Sequence, residues 1–292
     1  MKKRIFAIAC LALAAPLQAQ DFATAFDATE IAPGIHMLTG AEGKFGGGNM
    51  SVLVGDEQIV LIDDAMVPTA QPVLDAVNKL AGRAPDFVIN THIHGDHVGG
   101  NALMQDNGSY VVAHDNIRKR LAADSKDAGG DGGLPIITFS ESVTFHVNGH
   151  ELYVFHVHHA HTDGDGVIHF RDQNVIHAGD ILFNNLFPYI DLDNGGSVEG
   201  FIKAQEKLVA MADDKTIFIA GHGELASKAD VEKNLAVLKD GRELVKALVD
   251  AGKTEEEVLA ANPLAKYHDD YNWSFITTER MTKTHYRDLT SE

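Results

Sequence analysis

The sequence predicts a four-layer α/β sandwich, two β-rich halves each carrying helices on its outer face. Two observations carry that expectation. Element signals run strands, helix, strand, helix, more strands, then helices, an order that fits two stacked sheets better than one doubly wound sheet. Potential metal ligands recur at the ends of predicted strands, where a rigid sheet can position them. The 292 residues, 45% hydrophobic with 27 Gly, suit one large domain, and no repeat or interdomain linker is visible.

Residues 1–19 read as a cleaved signal peptide: Met1-Lys2-Lys3-Arg4 is basic, residues 5–15 are apolar but too short to span a bilayer, and Leu17-Gln18-Ala19 offers small-residue cleavage chemistry. The mature domain is expected to be residues 20–292, periplasmic, with no integral membrane segment. Cys10, the only cysteine, leaves with the signal, which removes disulfides and thiolate ligands. The whole chain carries a formal −18; without Lys2, Lys3 and Arg4 the remainder has 21 basic against 42 acidic residues, a net −21. Such a surface disfavours nucleic acid and anionic lipid and leaves a small-molecule substrate, with a monomer or a homodimer as the expected assembly.

Residues 21–30 are expected to be a poorly ordered lead-in. Residues 31–39, 49–54 and 57–63 alternate as strands, and residues 40–48 form a glycine-rich loop with Phe45 at its centre, either a flap over a site or an ordinary hairpin loop. Residues 69–80 have helical spacing, 85–90 read as a short buried strand, 110–113 as a strand and 115–123 as a helix. Residues 124–133 hold too little apolar surface to pack and are expected to be a mobile surface loop. Strands return at 142–147, 151–157, 166–170 and 174–178. A helix at 198–211, a strand at 216–220 and a helical tail at 228–251, 255–261 and 277–289 complete the chain.

The chain is organised around Thr91-His92-Ile93-His94-Gly95-Asp96-His97, four potential ligands on a turn at a strand's C-terminal end. Imidazole and carboxylate are what a borderline cation such as Zn²⁺ takes, and a metal is the economical reason to crowd them together. His161-Thr162-Asp163-Gly164-Asp165, Gly179-Asp180 and Gly221-His222-Gly223 each place a further ligand at a strand terminus. In this order and with these strand contexts, the chain resembles the metallo-β-lactamase-fold superfamily from about Ile31 through His222. The resemblance implies two zinc ions per chain, one held by His92, His94 and His161, the other by Asp96, His97 and His222, with Asp180 bridging.

Two divalent ions sharing a water lower its pKa from near 16 toward about 7. The implied activity is therefore dizinc hydrolysis of a carbonyl bond by a bridging hydroxide, with Asp96 as the catalytic carboxylate that orients it or receives its proton. β-Lactamases with a cysteine ligand do not match, and Phe183 stands where many β-lactamases carry a lysine. Asp180 resembles the thioesterases of the glyoxalase II type and the lactonases. Oxygen-binding di-iron relatives place a carboxylate where His94 stands. Since export exposes an enzyme to antibiotics, lactones and peptidoglycan fragments, β-lactam amide hydrolysis is the first expectation. Lactone or thioester hydrolysis is the second, and a non-catalytic zinc protein on the same scaffold the third. Candidate substrate contacts are Phe183, Asn184, Asn185 and Tyr189, with Phe187 as apolar wall and His158 or His159 at the rim. Asp63 and Asp64 are expected beneath the site as acceptors for histidine N–H groups, and His177 as a brace for Asp180.

Overall fold

The computed structural model describes residues 21–291; the signal-peptide assignment and Cys10 lie outside the described residues. The first half is a seven-stranded sheet made of β1 (Phe26–Ala32), β2 (Ile35–Gly40), β3 (Met50–Val54), β4 (Ile59–Ile62), β5 (Phe87–Ile89), β6 (Tyr110–His114) and β7 (Ile137–Phe139), arranged in chain order. Neighbours are antiparallel through β4 and parallel from β4 to β7. The parallel connections carry helices, as crossovers require: α1 (Ala70–Ala81), the short α2 (Gly95–Val98) and α3 (Asn101–Asp106), and α4 (Asp115–Leu121).

The second half is a five-stranded sheet of β8 (Ser142–Val147), β9 (His150–His156), β10 (Gly166–Phe170), β11 (Val175–Phe183) and β12 (Ile217–His222), in the order β12-β11-β10-β9-β8. Its helices are α5 (Val198–Met211), α6 (Lys228–Asp250), α7 (Glu255–Ala261), α8 (His268–Tyr271) and α9 (Thr278–Thr290).

Period-two alternation sorts side chains into three apolar layers. In β4, Val60 and Ile62 face the second sheet, while Ile59 and Leu61 face Val73, Leu74 and Val77 of α1. In β12, Ile219 enters the intersheet layer and Phe218 and Ala220 meet the layer under α5, α6 and α9. Each fully buried Ile, Leu or Phe contributes about 1.5–3 kcal/mol relative to exposure, enough for both faces of each sheet to need cover. Val258, Leu264 and Met281 of the helical tail are buried in this scheme, so these apolar positions are core.

Two expectations fail. The lead-in is not irregular: β1 pairs with β2 from Phe26↔Gly40 to Ala32↔Ile35, and Ala23 N donates to Phe45 O at 2.9 Å. Most β1 side chains are exposed, so the backbone ladder rather than burial orders it, and no hydrophobic pattern announced it. Residues 124–133 form two 3₁₀ turns, Lys126–Ala128 and Asp131–Gly133, with Ala128 and Gly133 buried. Asn101 Nδ2 donates to Gly133 O at 3.0 Å, so polar clamps from α3 replace the missing apolar surface.

Candidate metal centre

Every proposed ligand leaves a strand or its following turn at the same side of the two sheets. Asp63, behind the ligands, follows β4, residues 90–97 follow β5, His161 follows β9 and His222 ends β12, while Asp180, expected just past a strand at 174–178, lies inside β11, which runs on to Phe183. The side chains converge as two groups, His92, His94, His161 and Asp180 in one and Asp96, His97 and His222 in the other, the ligand atoms of each group within 4.8 Å of one another. Asp180 touches both. Its Oδ2 lies 3.7 Å from His92 Nε2, 3.5 Å from His161 Nε2 and 3.5 Å from His222 Nε2, and its Oδ1 lies 3.3 Å from His97 Nε2. Asp96 Oδ2 is 3.3 Å from His222 Nε2 and 3.5 Å from His97 Nε2.

The outward-facing partners fix which nitrogen of each ring faces inward. Asp63 is fully buried and accepts from Thr91 N at 2.7 Å, Thr91 Oγ1 at 2.8 Å and His97 Nδ1 at 2.7 Å. Because the Thr91 hydroxyl donates to Asp63, it accepts from His92 Nδ1 at 3.0 Å. One carboxylate thus sets two tautomers, so that each ring, when neutral, presents Nε2 inward as a lone pair. His161 Nδ1 donates to Tyr189 O at 2.7 Å, and His94 Nε2 donates to Asp191 Oδ2 at 2.9 Å. Their remaining nitrogens, His161 Nε2 and His94 Nδ1, then point lone pairs at each other across 2.8 Å. That is repulsive unless a cation lies between them. His92 Nε2, His97 Nε2 and Asp180 Oδ1 are buried without a hydrogen-bond partner. Orphaned inward donor atoms of hard and borderline type, each braced from behind, fit a metal centre.

The charges split in the same way. Burial, followed by the charge on His97, pushes the pKa of His92 well below the imidazole range, and burial, followed by His94, takes His161 down to about 3. Burial also opposes charge on His222, but Asp180 and Asp96 outweigh it and raise His222 to about 9. His97 is held well above the ordinary value against the same burial, by Asp180, Asp96 and Asp63. For Asp180 burial favours protonation, yet His222, His97 and His92 keep it ionised. In the metal-free cluster His97 and His222 therefore carry protons beside Asp96 and Asp180, and a second cation binding there would displace them.

Two glycines make this approach possible. A Cβ on Gly221 would lie 2.0 Å from Asp180 Oδ1, and one on Gly179, where φ is +52°, would meet Thr91 Oγ1 at 2.7 Å.

The candidate substrate contacts divide. Tyr189 lies beside the cluster, its ring 5.4 Å from His94 and 5.7 Å from His161. Phe183 is buried and stacks on His222 at 5.1 Å, so it is a backing wall. Phe187 is buried in the layer under the helices. Asn184 is a clamp: its Nδ2 donates to Glu224 O and Leu225 O, and its N to His222 O. Asn185 takes a left-handed turn at the surface, where Lys233 donates to it. His158 faces Glu141 and His159 donates to Gly195 O, both exposed and neither touching the ligand cluster. His177 is buried and contacts Gly179 N rather than Asp180.

Asp63 takes its expected place, but Asp64 does not. Asp64 accepts from Gly100 N at 2.9 Å, and burial raises its pKa. Residues that sequence reasoning passed over are Asp191, Asn49 and Trp273. Asn49 N donates to Gly221 O at 2.7 Å and its Nδ2 to Ala220 O and Gly223 O, stitching the His222 turn to the first sheet. Trp273 lies 6.1 Å from His222. Only Asp191 carried a signal, an acid closing the loop that begins at Phe183.

Comparison with known proteins agrees with this geometry. The sequence model of the metallo-beta-lactamase superfamily matches residues 43–222. A hydroxyacylglutathione hydrolase of Methylococcus capsulatus is 29% identical over 68% of this chain and 74% of its own. Metallo-beta-lactamase IND-1 of Chryseobacterium indologenes is 26% identical over 67% and 82%. Among solved structures, a metallo-beta-lactamase from Pontibacter korlensis superposes with a TM-score of 0.63 at 19% identity, covering 74% of this chain and 99% of that one. With the family matched over more than half its length and the His and Asp cluster assembled at the sheet ends, the chain belongs to the metallo-β-lactamase superfamily of hydrolases.

Proposed function

We propose that the chain is an exported, dinuclear zinc hydrolase that opens a carbonyl bond, with the β-lactam amide as its first substrate class. The observation that carries the dinuclear reading is Asp180, whose two oxygens reach both histidine groups while its Oδ1 has no hydrogen-bond partner. The residues that would hold the ions are His92, His94 and His161 on one side and Asp96, His97 and His222 on the other, with Asp180 shared. Metal bound there supplies an activated water and polarises the carbonyl.

The chain's own residues do the rest. Asp63 and Thr91 hold His92 and His97 in the tautomers that present Nε2, the Tyr189 carbonyl does the same for His161, and Asp191 holds His94 so that it presents Nδ1. Asp96 is partly exposed at the cluster, and in the metal-free protein the positive charge of His97 and His222 outweighs the burial that favours its protonated form, a charge that bound metal would replace. Asp96 can therefore accept a hydrogen bond from the attacking water and receive its proton transiently. Phe183, stacked on His222, and Tyr189, against His94, give the cluster an apolar wall.

A lactone or thioester is the second reading. It is favoured by the shared Asp180 and by the similarity to a hydroxyacylglutathione hydrolase. Metal analysis of the purified protein comes first, followed by turnover of a chromogenic cephalosporin, a lactone and a thioester with and without chelator. Chelator-sensitive cephalosporin opening with two zinc ions per chain supports the first reading. Turnover of only the lactone or thioester selects the second. A protein with little metal and no turnover refutes both.

A further inference from the structure

The superfamily match ends at residue 222, yet the chain beyond it returns to the metal centre. The segment between α8 and α9 brings Trp273 within 6.1 Å of His222 and 6.2 Å of Phe183, and anchors it through Nε1 to Phe187 O at 2.9 Å. Phe275 meets Trp273 at 5.5 Å and Tyr189 at 5.4 Å, both edge-on. Tyr189, Phe275 and Trp273 thus form a continuous aromatic wall whose two ends touch His94 and His222. Phe275 remains 46% exposed although it packs on two other rings.

Arg280 completes the wall. Its Cζ lies 4.3 Å from the Phe275 ring centroid and 5.1 Å from that of Tyr189, and Nη1 donates to Phe275 O at 3.0 Å. The other cations of α9 have acids: Lys283 pairs with Glu279 and Arg287 with Asp193. Among the described residues Arg280 pairs with no carboxylate, in a chain with 42 acidic residues, and most of its donor fork remains unclaimed. A guanidinium lying against two rings, next to a solvent-facing aromatic surface, matches a ligand that carries a planar ring and an anionic group.

We propose that Trp273, Phe275 and Arg280 form a subsite for an aromatic carboxylate portion of the substrate, with the ring on Phe275 and the carboxylate on Arg280. The proposal rests on the hydrolase reading for its biological meaning, since the subsite would select among carbonyl substrates by the group beside the scissile bond. The scissile bond itself is cleaved as proposed above and is unchanged by it.

Trp273 is the only tryptophan in the chain, so its emission reports on this wall alone. The zinc-loaded protein is titrated with phenylacetate, acetate, cyclohexylacetate and neutral phenylacetamide. Phenylacetate should shift or quench the emission saturably, with the other three at least about tenfold weaker. Arg280→Met should weaken phenylacetate about 10- to 100-fold, as expected for loss of a charge-assisted hydrogen-bond pair. Arg280→Lys should restore only part of it, and Phe275→Ala, at an exposed position, should lose the preference over cyclohexylacetate. Where a substrate is turned over, a carboxyphenyl substituent should raise kcat/KM over the uncharged phenyl analogue in the parent and not in Arg280→Met. Arg280-dependent binding without turnover of any carbonyl substrate would refute the hydrolase reading and support the subsite. Turnover with phenylacetate binding that is unchanged in Arg280→Met and equally competed by acetate would leave the hydrolase and overturn the subsite.

Discussion

Asp63→Asn tests the claim that one buried carboxylate sets the tautomers of two ligands. The residue has φ +59°, a conformation asparagine tolerates, so the substitution changes hydrogen bonding and little else. In the parent, three donors converge on Asp63 within 2.8 Å: Thr91 N, Thr91 Oγ1 and His97 Nδ1. A carboxamide offers one acceptor oxygen, so in either orientation at least one buried donor faces an NH₂. Each such mismatch costs about 1–3 kcal/mol, and the lost charge adds to it, giving roughly 2–4 kcal/mol. At about 2–4 °C per kcal/mol for a domain of this size, the metal-free protein should melt roughly 5–15 °C lower. If His97 turns over its tautomer to accept from the amide, its inward Nε2 gains a proton and cannot ligate. Affinity for the second zinc should then fall about 10- to 100-fold. Thermal denaturation of the stripped protein and competition against a chromophoric chelator read the two effects separately. Unchanged melting together with unchanged affinity for both ions would refute the assignment.

Three further outcomes follow from the same geometry. Asp180→Ala should weaken occupancy of both sites and Asp96→Ala chiefly the second, with most turnover lost in each; metal content of the dialysed variants checks the difference. Gly221→Ala should behave like Asp180→Ala, because its Cβ would lie 2.0 Å from Asp180 Oδ1, and elemental analysis of the folded variant reads it. Buried His285 has its pKa lowered to about 3 by burial and then by Arg242, so its neutral form is favoured on folding. Its stabilisation is full above the unfolded value near 6.5 and is lost as pH falls toward 3, at about 1.4 kcal/mol per unit. His285→Leu should therefore lose about 2 kcal/mol less than the parent between pH 7 and pH 5, measured by urea unfolding at both.

Much of the fold was legible because its apolar signals are periodic: the helix at 198–211 is α5, and the alternation of 57–63 contains β4. β1 escaped because its ladder with β2 orders polar side chains, and the 124–133 segment because α3 clamps it through polar side chains and buried glycine rather than an apolar face. At the site, the seven candidate ligands were readable because they sit in short motifs at strand ends or, for Asp180, inside a strand, and their convergence fits that reading. The bracing shell was less so. Asp63 could be guessed from its place after β4, but Asp64, one residue on, turns its side chain to Gly100, and period two cannot tell which of two adjacent acids points inward once the strand has ended. Asn184 failed for the opposite reason: a polar residue beside a site was read as facing it, when its amide secures the backbone that carries His222.

The placement of the ligands explains why the bracing shell must be so specific. His92 and His94 come from the first half and His161 and Asp180 from the second; Asp96 and His97 come from the first and His222 from the second. Neither half contains a complete group. The apolar layer between the sheets sets their separation but, being non-directional, does not fix a lateral shift of a fraction of an ångström. Directional contacts across the seam do. Asn49 binds three carbonyls around His222, Asp191 N donates to His161 O while its carboxylate takes His94, and Gly166 N donates to Thr91 O at 2.7 Å. The hydrogen bonds that orient the imidazoles are therefore continuous with those that register the two halves, so losing one should loosen the docking and the metal site together.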